Sequence, residues 1–202
     1  MTQAHEQTRE RLLNAARLVF SEQGFQGATV REICRRADAN VAAVNYHFGS
    51  KDGLLAEALN FTQLKTLQTE NAQVDACPKV RLRLFIHAFL SMLLDEGRPS
   101  SPCQIMAREL ANPSPALDQI VREALAPLHK FLDQLVHEIV GDATTDIQRR
   151  RMVSSIFGQC VHYSHARPVL QRLHPELRYD TAEIAAIAEH IASFSLAGMG
   201  VD

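Results

Sequence analysis

One short stretch of the chain, Thr29 to Lys51, concentrates side chains able to bind a polyanion and to distinguish one base from another. Arg31 carries a guanidinium that matches the paired acceptors of a guanine edge, and Asn45 can bond to a base or a phosphate. Tyr46, His47 and Lys51 can each donate to phosphate oxygens, while Val41 and Ala42 are small enough to meet thymine methyl groups. Thr29, which opens the helix bearing Arg31, completes this candidate DNA-contacting set.

These residues need rigid carriers, and the spacing supplies them. Leu12, Leu13, Ala16, Val19 and Phe20 mark a first helix that stops near Gly24. Thr29-Val30-Arg31-Glu32 fits a capping box, in which the Thr29 hydroxyl accepts from the Glu32 amide and the Glu32 carboxylate accepts from the Thr29 amide. The turn "ADAN" comes next, with Asp38 tolerant of a left-handed backbone and Asn40 placed to cap a third, short helix. Val44 and Phe48 fall on the inner side of that helix, which turns Ala42, Asn45 and Tyr46 outward. A capped helix, a tight turn and a short second helix with a small, polar outer face is the helix-turn-helix geometry that enters a DNA major groove.

Helical periodicity continues to the end of the chain, so the expected fold is all-α, with about nine helices. Leu54, Leu55, Ala58, Leu59 and Thr62 outline one long helix from about residue 50 to 71. Further helices are expected from Pro78 to about 97–99, from 102 to 111, from 116 to 140 with a kink at Pro127, from 146 to 166, and from a second capping box at Asp180 to about 198. The expected division is a DNA-binding domain over residues 1–50 and a helical effector-binding and dimerisation domain over 51–202.

Two further residue sets come from this second part. Phe85, Phe89, Met92, Met106, Leu110, Phe131 and Tyr163 supply large or flexible apolar groups suited to an adaptable pocket, with Gln104, Arg108, His129 and His162 able to orient polar atoms. They define an expected pocket for a small hydrophobic effector. Val153, Ile156, Phe157, Cys160 and Val161, with Ile184, Ile187, Ile191 and Phe194, define an expected homodimer interface built from the last two helices. Small residues at Ser154, Ser155, Gly158 and Ala192 would allow close crossing.

Composition narrows the alternatives. Of the 202 residues 46% are hydrophobic, enough for a packed core, and a net charge of −2 confines any nucleic-acid contact to a local patch. No apolar run of about 18 residues occurs, and the polar N-terminus has no signal-like core, so the expectation is a cytoplasmic chain without membrane partners. The four cysteines are scattered and read as reduced core fillers. No glycine-rich phosphate loop, G-x-S-x-G or H-E-x-x-H is present, so neither catalysis nor a cofactor is expected. The best metal candidate, Cys160 with His162 and His165, is poorly phased and reads instead as pocket or interface. The alternatives to a DNA-binding regulator are a helical adaptor and a metal-responsive protein.

The stretch "TVREICRRADANVAAVNYHFGSKDGLL" resembles the TetR family of transcriptional regulators, matching its pattern T-x-x-x-I-x-x-x-A-G-V-x-x-x-x-x-Y-x-H-F-x-x-K-x-x-L across about residues 8–60. Asp38 stands where the family usually has glycine, and Asn45 where it often has tyrosine. "IMARELANPSPALDQIVREALAPLHKFL" is similar to the C-terminal domain of the CecR-type subfamily, associated with drug efflux and antibiotic sensitivity. The resemblance implies a dimer on palindromic operator DNA, released by an effector, with repression as the default.

Overall fold

The computed structural model describes residues 3–59, 61–94 and 102–201. Its helices in chain order are α1 (Gln3–Gly27), α2 (Val30–Ala37), α3 (Val41–Phe48), α4 (Lys51–Leu59), α5 (Thr62–Gln73), α6 (Pro78–Leu94), α7 (Pro102–Ala111), α8 (Leu117–Ile120), α9 (Ala126–Val140), α10 (Asp146–His165), α11 (Arg167–Leu173) and α12 (Thr181–Gly198), with a π-helical turn (Val121–Leu125) between α8 and α9. Among the described residues no strand occurs, and the all-α reading holds. The chain forms two compact units, Met1–Phe61 with Gly97–Glu123, and Thr62–Glu96 with Ala124–Asp202.

In the first unit α1 buries Leu12, Leu13, Ala16, Val19 and Phe20, the stripe its spacing predicts. Its path breaks at Gly24, whose φ of 69° and ψ of 177° suit a residue without a Cβ. Half of the capping box at α2 forms: the Thr29 hydroxyl accepts the Glu32 amide at 3.1 Å. The Glu32 carboxylate does not return to the Thr29 amide but accepts from Arg35 at 2.8 Å and Arg36 at 2.7 Å. Charge-assisted bonds outcompete a neutral amide there, and the Arg35 guanidinium, with Arg36 second, holds the Glu32 carboxyl down at about 2. α7 packs against α1 and α4 through Ile105 and the buried Glu109, whose carboxylate accepts the Ser114 amide at 2.6 Å.

The single long helix expected over 50–71 is instead α4 and α5, with Phe61 in a turn and Thr62 exposed. Leu54, Leu55, Ala58 and Leu59 belong to the core of the first unit, and Leu67 to the core of the second. Two stripes of similar spacing thus read as one, although a turn at Phe61 separates them. The helix end expected at 97–99 lies outside the described residues.

The second unit is built around α6, against which α5, α9, α10 and α12 pack. Leu82, Phe85, Ile86, Leu90 and Leu94 are essentially without exposure. The break expected at Pro127 takes the form of the π turn immediately before it, where the missing proline amide and the bulk of its ring disturb the regular ladder. At α10 a full capping box forms between Thr145 and Gln148, one that the sequence reading does not include, and at α12 the Asp180 carboxylate accepts the Glu183 amide at 2.9 Å. Among the described residues no helix is long and apolar enough to cross a membrane.

The residues expected at a dimer interface take these positions within the single chain. Val153, Ile156, Cys160, Ile184, Ile187 and Ile191 are at most 8% exposed and form the core of the single chain, packed on α6. Phe157 is half-buried against Phe85 and Phe89, and Val161 is half-buried. Of that set only Phe194, 64% exposed, stands fully outward. An apolar stripe on a helix shows that a face is buried, not what buries it.

Candidate nucleic-acid interface

The turn between α2 and α3 closes as its residues dictate. Asp38 takes a left-handed φ of 49° and ψ of 54°, and the Ala39 amide donates to the Cys34 carbonyl at 3.0 Å. The Asn40 side chain then accepts the Ala42 amide at 2.9 Å and starts α3. Only Val44 and Phe48 of α3 are buried, while Val41, Ala42, Asn45 and Tyr46 are exposed and His47 is half-buried. The outward face expected of this helix is therefore largely open to solvent, with Tyr46 70% exposed.

Arg31 is exposed and forms no ion pair among the described residues, whereas Arg35 and Arg36 are tied to Glu32 and Glu22. One of three neighbouring guanidiniums is thus left for an external acceptor. Thr29 is exposed but its hydroxyl is engaged by the cap. Lys51 begins α4 with its ammonium 4.1 Å from the Phe25 ring centroid, a cation–π contact that fixes the side chain beside the end of α3. Partial burial pushes the acidity of that ammonium up, lowering its pKa from the usual lysine range.

Residues that sequence reasoning missed support this face. Phe25 holds Lys51, and Gly53 lets the first turn of α4 approach the Phe48 carbonyl: a Cβ there would lie 2.2 Å from that oxygen. His5, from α1, places its ring 5.8 Å from that of Tyr46. The "KDGLL" signal was available for Gly53, but nothing in spacing alone shows a close backbone approach.

The expected pocket residues separate. Phe85, Phe89, His129 and Phe131 gather with Phe157 in the second unit: Phe85 and Phe89 stack at 5.7 Å, Phe85 lies 5.6 Å from Phe131, and His129 stacks on Phe157 at 6.0 Å. Met92 and Tyr163 pack on the same core, while His162 is exposed. Gln104, Met106, Arg108 and Leu110 are on α7, in the first unit, where Ile105 and Glu109 take the inward positions and Gln104, Arg108 and Leu110 are exposed. α7 thus belongs to the first unit. Tyr179, not anticipated, is 4% exposed, and its hydroxyl has no hydrogen-bond partner among the described residues. The Arg167 guanidinium lies 4.5 Å from its ring centroid, and burial pushes the phenol pKa up.

The metal candidate does not converge. Cys160 lies in the core, where burial pushes its thiol up to about 12, while His162 and His165 are exposed. Cys34 is buried and Cys77 exposed.

Residues 12–58 match the family model of bacterial regulatory proteins, tetR family, and residues 78–199 match that of the HTH-type transcriptional dual regulator CecR, C-terminal domain. CecR of Shigella flexneri is 27% identical over 175 residues, covering 81% of this chain and 78% of that protein. UidR of Escherichia coli strain K12, an HTH-type transcriptional regulator, is 26% identical over 148 residues, 73% of this chain and 69% of that protein. Among solved structures, FadR from Bacillus subtilis in complex with stearoyl-CoA superposes with a TM-score of 0.71 at 18% identity, covering 94% of this chain and 98% of that one. AibR in complex with isovaleryl coenzyme A and operator DNA gives 0.67 at 17% identity, covering 93% and 97%.

A three-helix head whose third helix turns one face to solvent defines a helix-turn-helix, DNA-binding transcriptional regulator, and its relatives are regulators rather than enzymes. The chain belongs to the TetR family, with a C-terminal domain of the CecR type.

Proposed function

We propose that the chain is a ligand-responsive repressor of drug-efflux or drug-response genes, binding a palindromic operator as a homodimer and released by a small hydrophobic effector. The observation that carries the DNA reading is the α3 surface, which buries Val44 and Phe48 and leaves Val41, Ala42, Asn45 and Tyr46 to solvent. In this reading α3 enters the major groove, Tyr46, His47 and Lys51 hold phosphates, and Arg31 contacts a base edge. Tyr46→Ala is expected to weaken binding about equally across DNA sequences, whereas Arg31→Ala should cost about 1–3 kcal/mol at one base position and relax specificity there. Fluorescence anisotropy on a panel of single-base operator variants separates the two patterns. Wild-type affinity and selectivity in both variants would remove α3 from the groove.

The homodimer reading rests on the outer faces of α10 and α12. Ser154, Ser155 and Gly158 are exposed on one and Phe194 and Ala197 on the other, and a Cβ built at Gly158 meets nothing within 4 Å. A flat face with one projecting aromatic suits a two-fold four-helix contact.

The effector reading rests on the Phe85, Phe89, Phe131, Phe157 and His129 cluster, with the unpartnered Tyr179 hydroxyl as a donor for a polar group of the ligand. Two proteins of the same fold hold stearoyl-CoA and isovaleryl coenzyme A, which makes acyl thioesters reasonable probes beside hydrophobic antibiotics. A palindromic operator requires recognition helices about 34–36 Å apart, and a ligand that favours another spacing lowers operator affinity by its differential affinity for the two states. A thermal-shift screen with these compounds, each hit retested for operator release, identifies the class. Phe89→Ala should remove a true effector's response at least tenfold while sparing operator binding. Hits that stabilise the chain without releasing DNA would refute the coupling.

A further inference from the structure

His5 lies in the first turns of α1, and its exposed ring stands 5.8 Å from the Tyr46 ring and 6.3 Å from the His47 ring, both edge to face. Tyr46 and His47 are themselves 4.9 Å apart. Hydrophobic burial does not explain this gathering, because His5 is exposed and Tyr46 is 70% exposed. Each ring carries a polar donor, and the three come from two helices onto the solvent side of the head.

We propose that His5 completes a phosphate-binding cluster with Tyr46 and His47, and that docking of the operator backbone is coupled to proton uptake by the two imidazoles. The inference rests on the reading that α3 enters the major groove. Two like charges at this spacing repel, and a phosphate between them replaces repulsion with attraction. The protonated imidazole is then favoured in the complex over the free chain. By linkage, operator affinity rises as pH falls through the range in which histidine side chains titrate.

The charged neighbours do not replace the phosphate. On α1, Arg9 pairs with Glu57 of α4 and lies over Phe48 at 5.6 Å, with Glu10 at 3.8 Å. On α2, Arg35 and Arg36 hold Glu32, and Arg31 is unpaired among the described residues. On α4, Lys51 sits over Phe25. Glu22 on α1 is held by Arg36 at 2.8 Å, and Asp38 at the end of α2 pairs with Arg11 at 3.7 Å. Neither Glu6 on α1 nor Asp52 on α4 forms an ion pair with His5 or His47 among the described residues.

The test uses the full chain and a labelled duplex that the wild-type protein recovers from a random DNA pool, with affinity measured by anisotropy over a salt series at about pH 6 and about pH 8.5. Wild type should bind about tenfold tighter at the lower pH, with a log–log salt slope steeper by roughly 2, one for each charged imidazole. His5→Gln should reduce the gain to about threefold and the slope difference to roughly 1. The His5→Gln, His47→Gln double variant should show almost no pH dependence. A His5→Gln variant that keeps the wild-type gain and slope overturns the proposal, as does equal weakening at both pH values. A pool that yields no duplex instead sinks the DNA reading beneath it.

Discussion

Gly53→Ala is expected to lower the stability of the first unit and to weaken operator binding at least tenfold, although the same change in an open helix stabilises by about 0.5–1 kcal/mol. The reversal comes from one distance. A Cβ at Gly53 would stand 2.2 Å from the Phe48 carbonyl oxygen and 3.4 Å from its carbon, and both obstacles are backbone. No rotamer change can clear them. The turn between α3 and α4 is already constrained, with Gly49 at φ 73° and the Ser50 hydroxyl accepting the Gly53 amide at 3.1 Å. The first turn of α4 and the last turn of α3 must therefore move apart. Forced overpacking of this kind costs about 1–3 kcal/mol and shifts backbone. The shift falls on the segment that carries Tyr46, His47 and Lys51, so affinity should fall in any sample that remains folded. Denaturant unfolding gives the first quantity and anisotropy the second. An unchanged midpoint together with unchanged affinity would mean that α3 and α4 do not approach as closely as this.

Much of the head was legible because local chemistry decides it. Asp38 tolerates a left-handed turn, Asn40 caps the short recognition helix, and the i, i+4 pair Val44 and Phe48 leaves only one face of α3 to solvent. Each rule acts within a few residues, and each agrees with the others. The features that escaped depend on which of several partners a side chain takes. Spacing alone returns Glu32 to its own cap, but Arg36, bridging to Glu22 at 2.8 Å, engages it from the other side. The α7 residues Gln104 and Arg108 carry polar groups suited to a pocket, yet Ile105 and Glu109 are the ones turned inward, and α7 belongs with the head. The Tyr179 hydroxyl, in a stretch without helical periodicity, gave no signal at all. Phe157 shares a helix with Val153 and Ile156, and its ring lies 5.6 Å from that of Phe89, a contact that helical spacing alone does not show.

The distinction between core and interface can be measured on α12, where Ile191 and Phe194 are three residues apart but turned to different surroundings. Ile191 is 1% exposed within the core of the second unit, and Phe194 is 64% exposed beside His190 at 6.3 Å. Ile191→Ala removes buried methyl groups and leaves a cavity, so it should cost about 2–5 kcal/mol, a large share of the roughly 5–15 kcal/mol that holds a domain folded. That loss should persist at protein concentrations where the chain is monomeric. Phe194→Ala exposes no core and should leave the monomer within about 0.5 kcal/mol of wild type. Its effect belongs to assembly: removal of a projecting aromatic at a dimer contact should weaken association by about 2 kcal/mol or more, roughly thirtyfold. Because association stabilises the folded state by mass action, the Phe194→Ala deficit should shrink on dilution while the Ile191→Ala deficit does not. Sedimentation equilibrium with denaturant unfolding at two concentrations resolves both. A Phe194→Ala chain that dimerises like wild type would remove the outer face of α12 from the interface. An Ile191→Ala chain that keeps its monomer stability but dissociates would return the buried stripe to it.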